Sequence, residues 1–314
     1  MGKPGPEKQI TPVTMHAAAQ GEKHRRTTTP RLLLLLGPAV AIISVLFGGG
    51  LLLGLLQALG YRPQDGLVSL SFEYFAAVGA DPYFFKSLAL TFYISATSTA
   101  IAALLSVATA LFMHFKAAQN RLLHFILQIP LTVPHLVVAI SMFMLLTPSG
   151  LFSRLLCRAG IISSPAAFPL LVNDPFGISI LTVYIWKEVP FITFMVLTVL
   201  KSMETELLEA GASLGATPMQ RFRHIILPTI APSLGSGCFI VFAFTFGAFE
   251  VPYLLGRTFP LTMPVWSYKN FSDIDLAARP AGIAIGIIIA ATVIISLFFS
   301  QLLLNYSRNR EARS

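Results

Sequence analysis

Charge is scarce in this 314-residue sequence: 22 Lys and Arg and 14 Asp and Glu make up 11% of the chain, against roughly 25% in soluble domains. Hydrophobic residues account for 55%, which excludes an ordinary soluble domain and leaves a polytopic, all-α membrane protein. Cysteine is scarcer still, at two residues. Cys157 and Cys238 fall in different segments, so neither a disulfide framework nor a cysteine metal site is expected. Chemistry-bearing motifs are missing too. There is no G-x-x-x-x-G-K-[ST] phosphate loop, no H-E-x-x-H and no G-x-S-x-G, so the chain is expected to carry no catalytic residues, no metal and no cofactor of its own. The formal net charge of +8 comes from basic residues that flank apolar runs. It reads as membrane orientation and contact with lipid, not as nucleic-acid binding.

What is present is apolar length. Residues 1–30, rich in Thr, Pro, Lys and Arg, have no hydrophobic period and read as a disordered cytoplasmic tail. A transmembrane domain is expected over 31–306, with six spans at about 32–56, 87–112, 122–146, 178–200, 225–249 and 282–304, before a short tail at 307–314. Each span has the ~20 apolar residues that cross a bilayer. Outside the spans, fourteen Lys and Arg lie on the side of the termini, among them Lys116, Lys201, Arg221, Arg223 and Arg310. Seven lie opposite: Arg62, Lys86, Arg154, Arg158, Arg257, Lys269 and Arg279. That asymmetry predicts that both termini are cytoplasmic. On the outer side, Tyr61 to Lys86 reads as an interfacial cap, and Ile161 to Val172, broken by Pro165 and Pro169, reads as a surface segment too short to span. Gly50 and Gly54, and Gly282 and Gly286, offer small faces for close helix contact.

Between the fourth and fifth spans, residues 201–224 form the longest internal polar segment, and they carry helix signals instead of loop composition. Leu207, Leu208, Gly211 and Leu214 recur at helical spacing opposite Glu204, Glu206 and Glu209, which predicts a short amphipathic helix. Gly215 can end it in a left-handed conformation, and Thr217-Pro218-Met219-Gln220 has the form of a capping box with Pro at the first helical position. The prediction is a helix-turn-helix knuckle. Its sequence, Glu209-Ala210-Gly211, three residues, Gly215, nine residues, Ile225-Ile226-Leu227-Pro228, resembles the EAA loop of the membrane-spanning subunits of bacterial ABC importers. That family uses the loop as a coupling helix seated in a groove of a cytoplasmic ATPase. The resemblance implies that Glu209, Ala210, Gly211, Gly215, Pro218, Leu227 and Pro228 make the coupling element. Gly211 departs from the pattern, in which a second Ala is usual.

Intramembrane charge is confined to a few positions. Lys187 and Glu188 lie ~14 to 15 Å into the fourth span, near the midplane, where an unpaired charge costs at least ~2.5 to 3.5 kcal/mol. Adjacent residues point about 100° apart on a helix, so at least one needs a partner on another helix. Glu250 stands at the outer end of the fifth span. Pro130 and Pro134 in the third span and Pro190 in the fourth break backbone bonding where only protein or water can repair it.

The run Phe246 to Gly256, with Trp186, Pro190 and Phe191, looks like permeases of the spermidine/putrescine type, a branch that also holds iron(III) and phosphonate importers. The resemblance implies a type I (MetI-like) transmembrane domain, and a permease subunit that works with an ATPase dimer, a second permease (a copy or a relative) and a periplasmic solute-binding protein. It implies a small solute, polyamine-like, with Trp186, Lys187, Glu188 and Glu250 as pathway or gate candidates. The competing class, an ion-coupled secondary transporter, predicts paired hydropathy repeats that the sequence does not show, and leaves the Glu209 loop without a purpose.

Overall fold

A computed structural model describes residues 34–61, 63, 69–117, 120–203 and 205–311. The expected tail at 1–30, the first residues of the first span, Glu204, part of the outer 61–86 segment and residues 312–314 lie outside the described residues, as does the Glu206 side chain.

The described residues are helical, with no strand among them. The chain forms two compact units, Met1–Gln57 and Ala58–Ser314. The first holds most of helix α1 (Leu34–Ala58), apolar along its length and interrupted by a π turn at Ser44–Gly48. The second contains α2 (Glu73–Ala80), α3 (Phe84–Phe115), α4 (Arg121–Thr132), α5 (His135–Leu146), α6 (Leu151–Arg158) and α7 (Ile178–Ser202). It continues with α8 (Thr205–Ser213), α9 (Pro218–Arg221), α10 (Leu227–Gly247), α11 (Glu250–Leu255), α12 (Met263–Phe271) and α13 (Arg279–Glu311). Among the described residues, six helical stretches are long and apolar enough to cross a membrane.

Helix α7 is the axis of the second unit. Twelve of its 25 residues are buried, from Ser179 to Leu200, because it packs on α3, α4, α5, α10 and α11 at once. The approach of α3 is explained by its inner face: Ser87, Thr91, Ser95, Ser98, Ala102, Ser106 and Ala110 recur every three or four residues and are all buried. Small side chains let two backbones come close without a bulky ridge between them. The hydroxyls on that face bond mostly within their own helix, Thr91 to the Ser87 carbonyl (2.7 Å) and Ser95 to that of Thr91 (2.9 Å). Ser106 reaches across instead and donates to the Val189 carbonyl of α7 (2.8 Å). Two apolar clusters sit on either side of the midpoint of α7. One gathers Met113, Ile192, Val196, Leu200, Leu208, Ile226 and Ile230, and the other gathers Ile94, Val138, Ile180, Val183, Val251 and Leu255.

The helix expected over 122–146 is two helices. Asn120 caps α4 by accepting from the Leu123 N–H, and the rod breaks at Val133, which is extended (ψ 128°), before Pro134 leads into α5. Proline brings no N–H and disfavours helix in the residue before it, so the break falls where the sequence puts Pro134. The segment at 161–172 forms no span; it contains a single 3₁₀ turn at Pro165–Ala167.

Candidate functional site

Lys187 is 7% exposed and lies deep in α7, yet among the described residues its ammonium has no ion-pair partner. Nζ donates to the carbonyls of Pro130 (2.6 Å), in the last turn of α4, and Val133 (2.5 Å), the residue at which α4 breaks off. The sequence explains the need. In an unbroken helix the Pro130 carbonyl would accept from the residue four places on, but that residue is Pro134 and has no N–H to give. A buried orphan carbonyl costs about 1–3 kcal/mol, and the charged ammonium removes the deficit at both oxygens. Lys187, expected as a pathway or gate residue, is thus a brace for a broken helix.

Glu188, 4% exposed, turns the other way, toward α10, where Thr245 Oγ1 lies 2.6 Å from its Oε1. The same hydroxyl also lies 2.8 Å from the Val241 carbonyl, and its single proton serves only one of them fully. Ser98 of α3 faces the same carboxylate. The second carboxylate oxygen, Oε2, is buried with no hydrogen-bond partner. One helical turn earlier, the Tyr184 hydroxyl is also buried and also unpartnered. Both Glu188 and Glu250 act on it electrostatically. Glu250, half-buried, opens α11 and has no hydrogen-bond or ion-pair partner among the described residues. The structure therefore gathers Tyr184, Glu188, Glu250, Thr245 and Ser98 into one polar focus inside an apolar bundle. Lys187 is excluded from it, and Trp186, 39% exposed, lies on the open side of α7.

The second candidate site is the knuckle. Helix α8 ends in a Schellman motif: the Ala216 N–H bonds to the Gly211 carbonyl (3.0 Å), the Gly215 N–H bonds to that of Ala212 (3.0 Å), and Gly215 is left-handed (φ 80°). Two residues later Thr217 and Gln220 close a reciprocal capping box, with Pro218 at the first helical position of α9. Helix α9 passes through a π turn at Phe222–Ile226, in which the Leu227 N–H reaches back five residues to the Phe222 carbonyl, and then enters α10. Pro228, the next residue, brings no N–H and so cannot extend an ordinary ladder backward. Leu227 and Pro228 thus mark the junction between knuckle and span.

Gly211 has a packing reason to lack a side chain, since a Cβ there would stand 3.1 Å from Ile225 Cδ1 and 3.5 Å from Arg221 Cγ. The apolar face expected from four residues is narrower than that. Leu208 is buried, whereas Leu207 and Leu214 are 52% and 88% exposed. Nine residues offer too little contact length to bury two adjacent leucines; Leu208 joins the core cluster and Gly211 meets Arg221 and Ile225. Glu209 and Ala210 point outward, and the tip presents Leu214 and Met219 (70% exposed) to whatever meets it. A paired apolar tip of this kind suits a groove better than water.

Sequence reasoning missed Tyr184, Ser98 and Thr245. Tyr184 stands four residues before Glu188, a spacing that places both on one helix face. The small-residue period of α3 is equally visible once hydroxyls are counted with Ala and Gly.

A family model described as the binding-protein-dependent transport system inner membrane component matches residues 101–310. Among curated proteins, the inner membrane ABC transporter permease protein YdcU of Escherichia coli K12 is 29% identical over 237 residues, covering 71% of this chain and 74% of that protein. The spermidine/putrescine transport system permease protein PotB of Haemophilus influenzae is 31% identical over 135 residues, 43% of this chain and 46% of that one. Among solved structures, a bacterial ABC transporter involved in the import of the acidic polysaccharide alginate superposes with a TM-score of 0.72 at 20% identity, covering 91% of this chain and 98% of that chain.

Proposed function

We propose, from the premise that this chain belongs to the family of binding-protein-dependent transport system inner membrane components, that it carries a small cationic, polyamine-like solute past Glu188 and Glu250. The chain is a permease subunit of an ABC importer in the inner membrane, it performs no catalysis, and ATP is hydrolysed by a separate subunit. The family description itself entails a solute-binding protein.

One observation carries the cationic reading. The single basic side chain beside Glu188 is engaged by the Pro130 and Val133 carbonyls, which leaves the carboxylates of Glu188 and Glu250 as the charges without a counter-ion around the buried Tyr184 hydroxyl. A low-dielectric passage with uncompensated acids lowers the barrier for a cation and raises it for an anion. The likeness to a spermidine/putrescine permease points the same way, whereas the alginate relative belongs to a transporter of acidic cargo.

Coupling is proposed at the knuckle. Glu209 meets a basic residue of the ATPase, and the elbow at Gly215 fits its groove. Both termini are placed in the cytoplasm, as is the knuckle. The complex then holds two ATPase subunits and a second permease, a copy of this chain or a relative. The test is uptake by the assembled importer in proteoliposomes supplied with its binding protein. Glu188→Gln and Glu250→Gln should each lower spermidine uptake by about tenfold, equivalent to ~1.4 kcal/mol, with the protein still inserted. Uptake of phosphonate or chelated iron(III) by the native importer, or unchanged spermidine uptake in both variants, overturns the cationic reading.

A further inference from the structure

Three aromatic rings meet beside Glu250. Phe249 and Tyr268 stack with centroids 4.8 Å apart and planes 22° from parallel. Tyr253 meets Tyr268 nearly perpendicularly, at 5.6 Å and 80°, and lies 6.5 Å from Phe249. The rings come from the start of α11 and from α12, so two helices build one aromatic corner. Rings that pack so closely are normally covered, yet Tyr253 and Tyr268 remain 49% and 41% exposed. Glu250 precedes Tyr253 by three residues on α11, which places both on the same helix face.

The surrounding cations are engaged elsewhere. Arg257 Nε bonds to the Phe259 carbonyl, Arg279 lies over the Phe271 ring and Lys86 over Tyr83. Lys269 follows Tyr268 but leaves α12 about 100° away from it. A carboxylate without a partner among the described residues, next in the chain to one ring of a partly exposed aromatic corner and one helical turn before another, is the chemistry that holds an ammonium: the quadrupole of a ring attracts the cation, and the acid neutralises it. Behind the corner, the Tyr184 hydroxyl links the field of Glu250 to that of Glu188.

We infer that Phe249, Glu250, Tyr253 and Tyr268 form a binding station for an alkylammonium group on the face of the permease where the solute arrives, one stage before Glu188. The inference rests on the cationic reading of the cargo and adds to it a place where the cation halts and the residues that stop it.

The test uses the complete importer in proteoliposomes, with Cys157→Ser and Cys238→Ser removing the native thiols. Tyr253→Cys supplies a thiol within the corner, leaving the Phe249–Tyr268 pair and Glu250 in place, and Leu170→Cys in a separate preparation supplies an exposed reference. Each thiol is reacted with a trimethylammonium-ethyl and a sulfonatoethyl methanethiosulfonate. The cation-to-anion rate ratio should be roughly fivefold higher at position 253 than at 170. It should fall to the reference value with Glu250→Gln, and fall part of the way with Tyr268→Leu but not with Tyr268→Phe. Excess spermidine should slow the cationic reaction at 253.

A ratio equal to the reference, or one untouched by Glu250→Gln, overturns the station and reduces the rings to an interfacial aromatic belt. The labelling does not depend on transport, so the two readings fail separately. A charge preference at 253 in an importer that takes up no amine leaves the station and removes the cargo reading; amine uptake without the preference does the reverse.

Discussion

The fate of Lys187 was set by a residue more than fifty positions away. Read along the sequence, a lysine beside a glutamate at the midplane offers solute binding, gating or ion pairing, and nothing local chooses among them. The choice is made by Pro134, whose missing N–H strands the Pro130 carbonyl within reach of Nζ. Replacing Lys187 by Met should therefore cost about 1–3 kcal/mol, the desolvation of a stranded carbonyl, read as a lower midpoint of thermal unfolding in detergent. Pro134→Ala restores the missing donor and should recover most of that loss in the double variant. If the two losses merely add, the brace is not what Lys187 provides. Gly215 makes the opposite case. Its role was legible because a Schellman ending needs information from only six consecutive residues. Nothing lies within 4 Å of the place where its Cβ would stand, so the chain's own requirement there is the positive φ alone. Gly215→Asn, which tolerates that conformation, should leave folding nearly unchanged, and Gly215→Val should cost on the order of 1–2 kcal/mol. Loss of ATPase stimulation in the Asn variant, with normal folding, would then report contact with the partner and not strain.

At the scale of elements, the knuckle and the broken third span show where a one-dimensional reading succeeds and where it stops. Capping box, proline and glycine fixed the order α8, turn, α9, because each acts on its own neighbours. The face of α8 was read too wide: helical spacing marks which residues share a side, but the depth of burial depends on what lies across from it, and Leu208 is buried while Leu207 and Leu214 stay exposed. Leu207 and Leu214 are exposed on the side away from the outward Glu209, so α8 and its turn offer apolar and acidic contact on different sides. Glu209→Ala should leave the permease inserted but weaken its association with the ATPase by severalfold, measured by co-purification at rising salt. Contacts at such a groove are worth more than the ~0 to 1 kcal/mol of an exposed pair. Equal recovery of the ATPase with both forms would show that this surface is an ordinary connection.

For the whole molecule, apolar length and charge scarcity were sufficient to reach the architecture: a bundle of lipid-crossing helices needs few residue-specific decisions. The polar focus was not reachable in the same way, because Glu188 meets Thr245, 57 positions away, and Tyr184 faces Glu250 only after α7, α10 and α11 have packed. Single cysteines at 116, 201 and 310 should be shielded from an impermeant reagent added to intact cells, and those at 81, 158 and 269 should react. Labelling at 310 but not 158 would invert the protein and detach the knuckle from any cytoplasmic partner.

The π turn at Phe222–Ile226 holds one residue more than an α-helical turn would, and that surplus sits between the knuckle and a rod of 21 residues that carries Thr245 and ends at Gly247. A surplus residue is slack. If the turn tightens into α-helix, α9 advances on α10 by about 1.5 Å and rotates by about 100°; if it reforms, the step is undone. One residue of slack would give the joint two settings, and α10, roughly 30 Å long, would carry each to the hydroxyl that touches Glu188. Deleting Arg223 should lock the tighter setting, abolish solute-dependent stimulation of ATP hydrolysis, and leave the basal rate of the docked ATPase in place; a variant that still responded to solute would show that the slack transmits nothing.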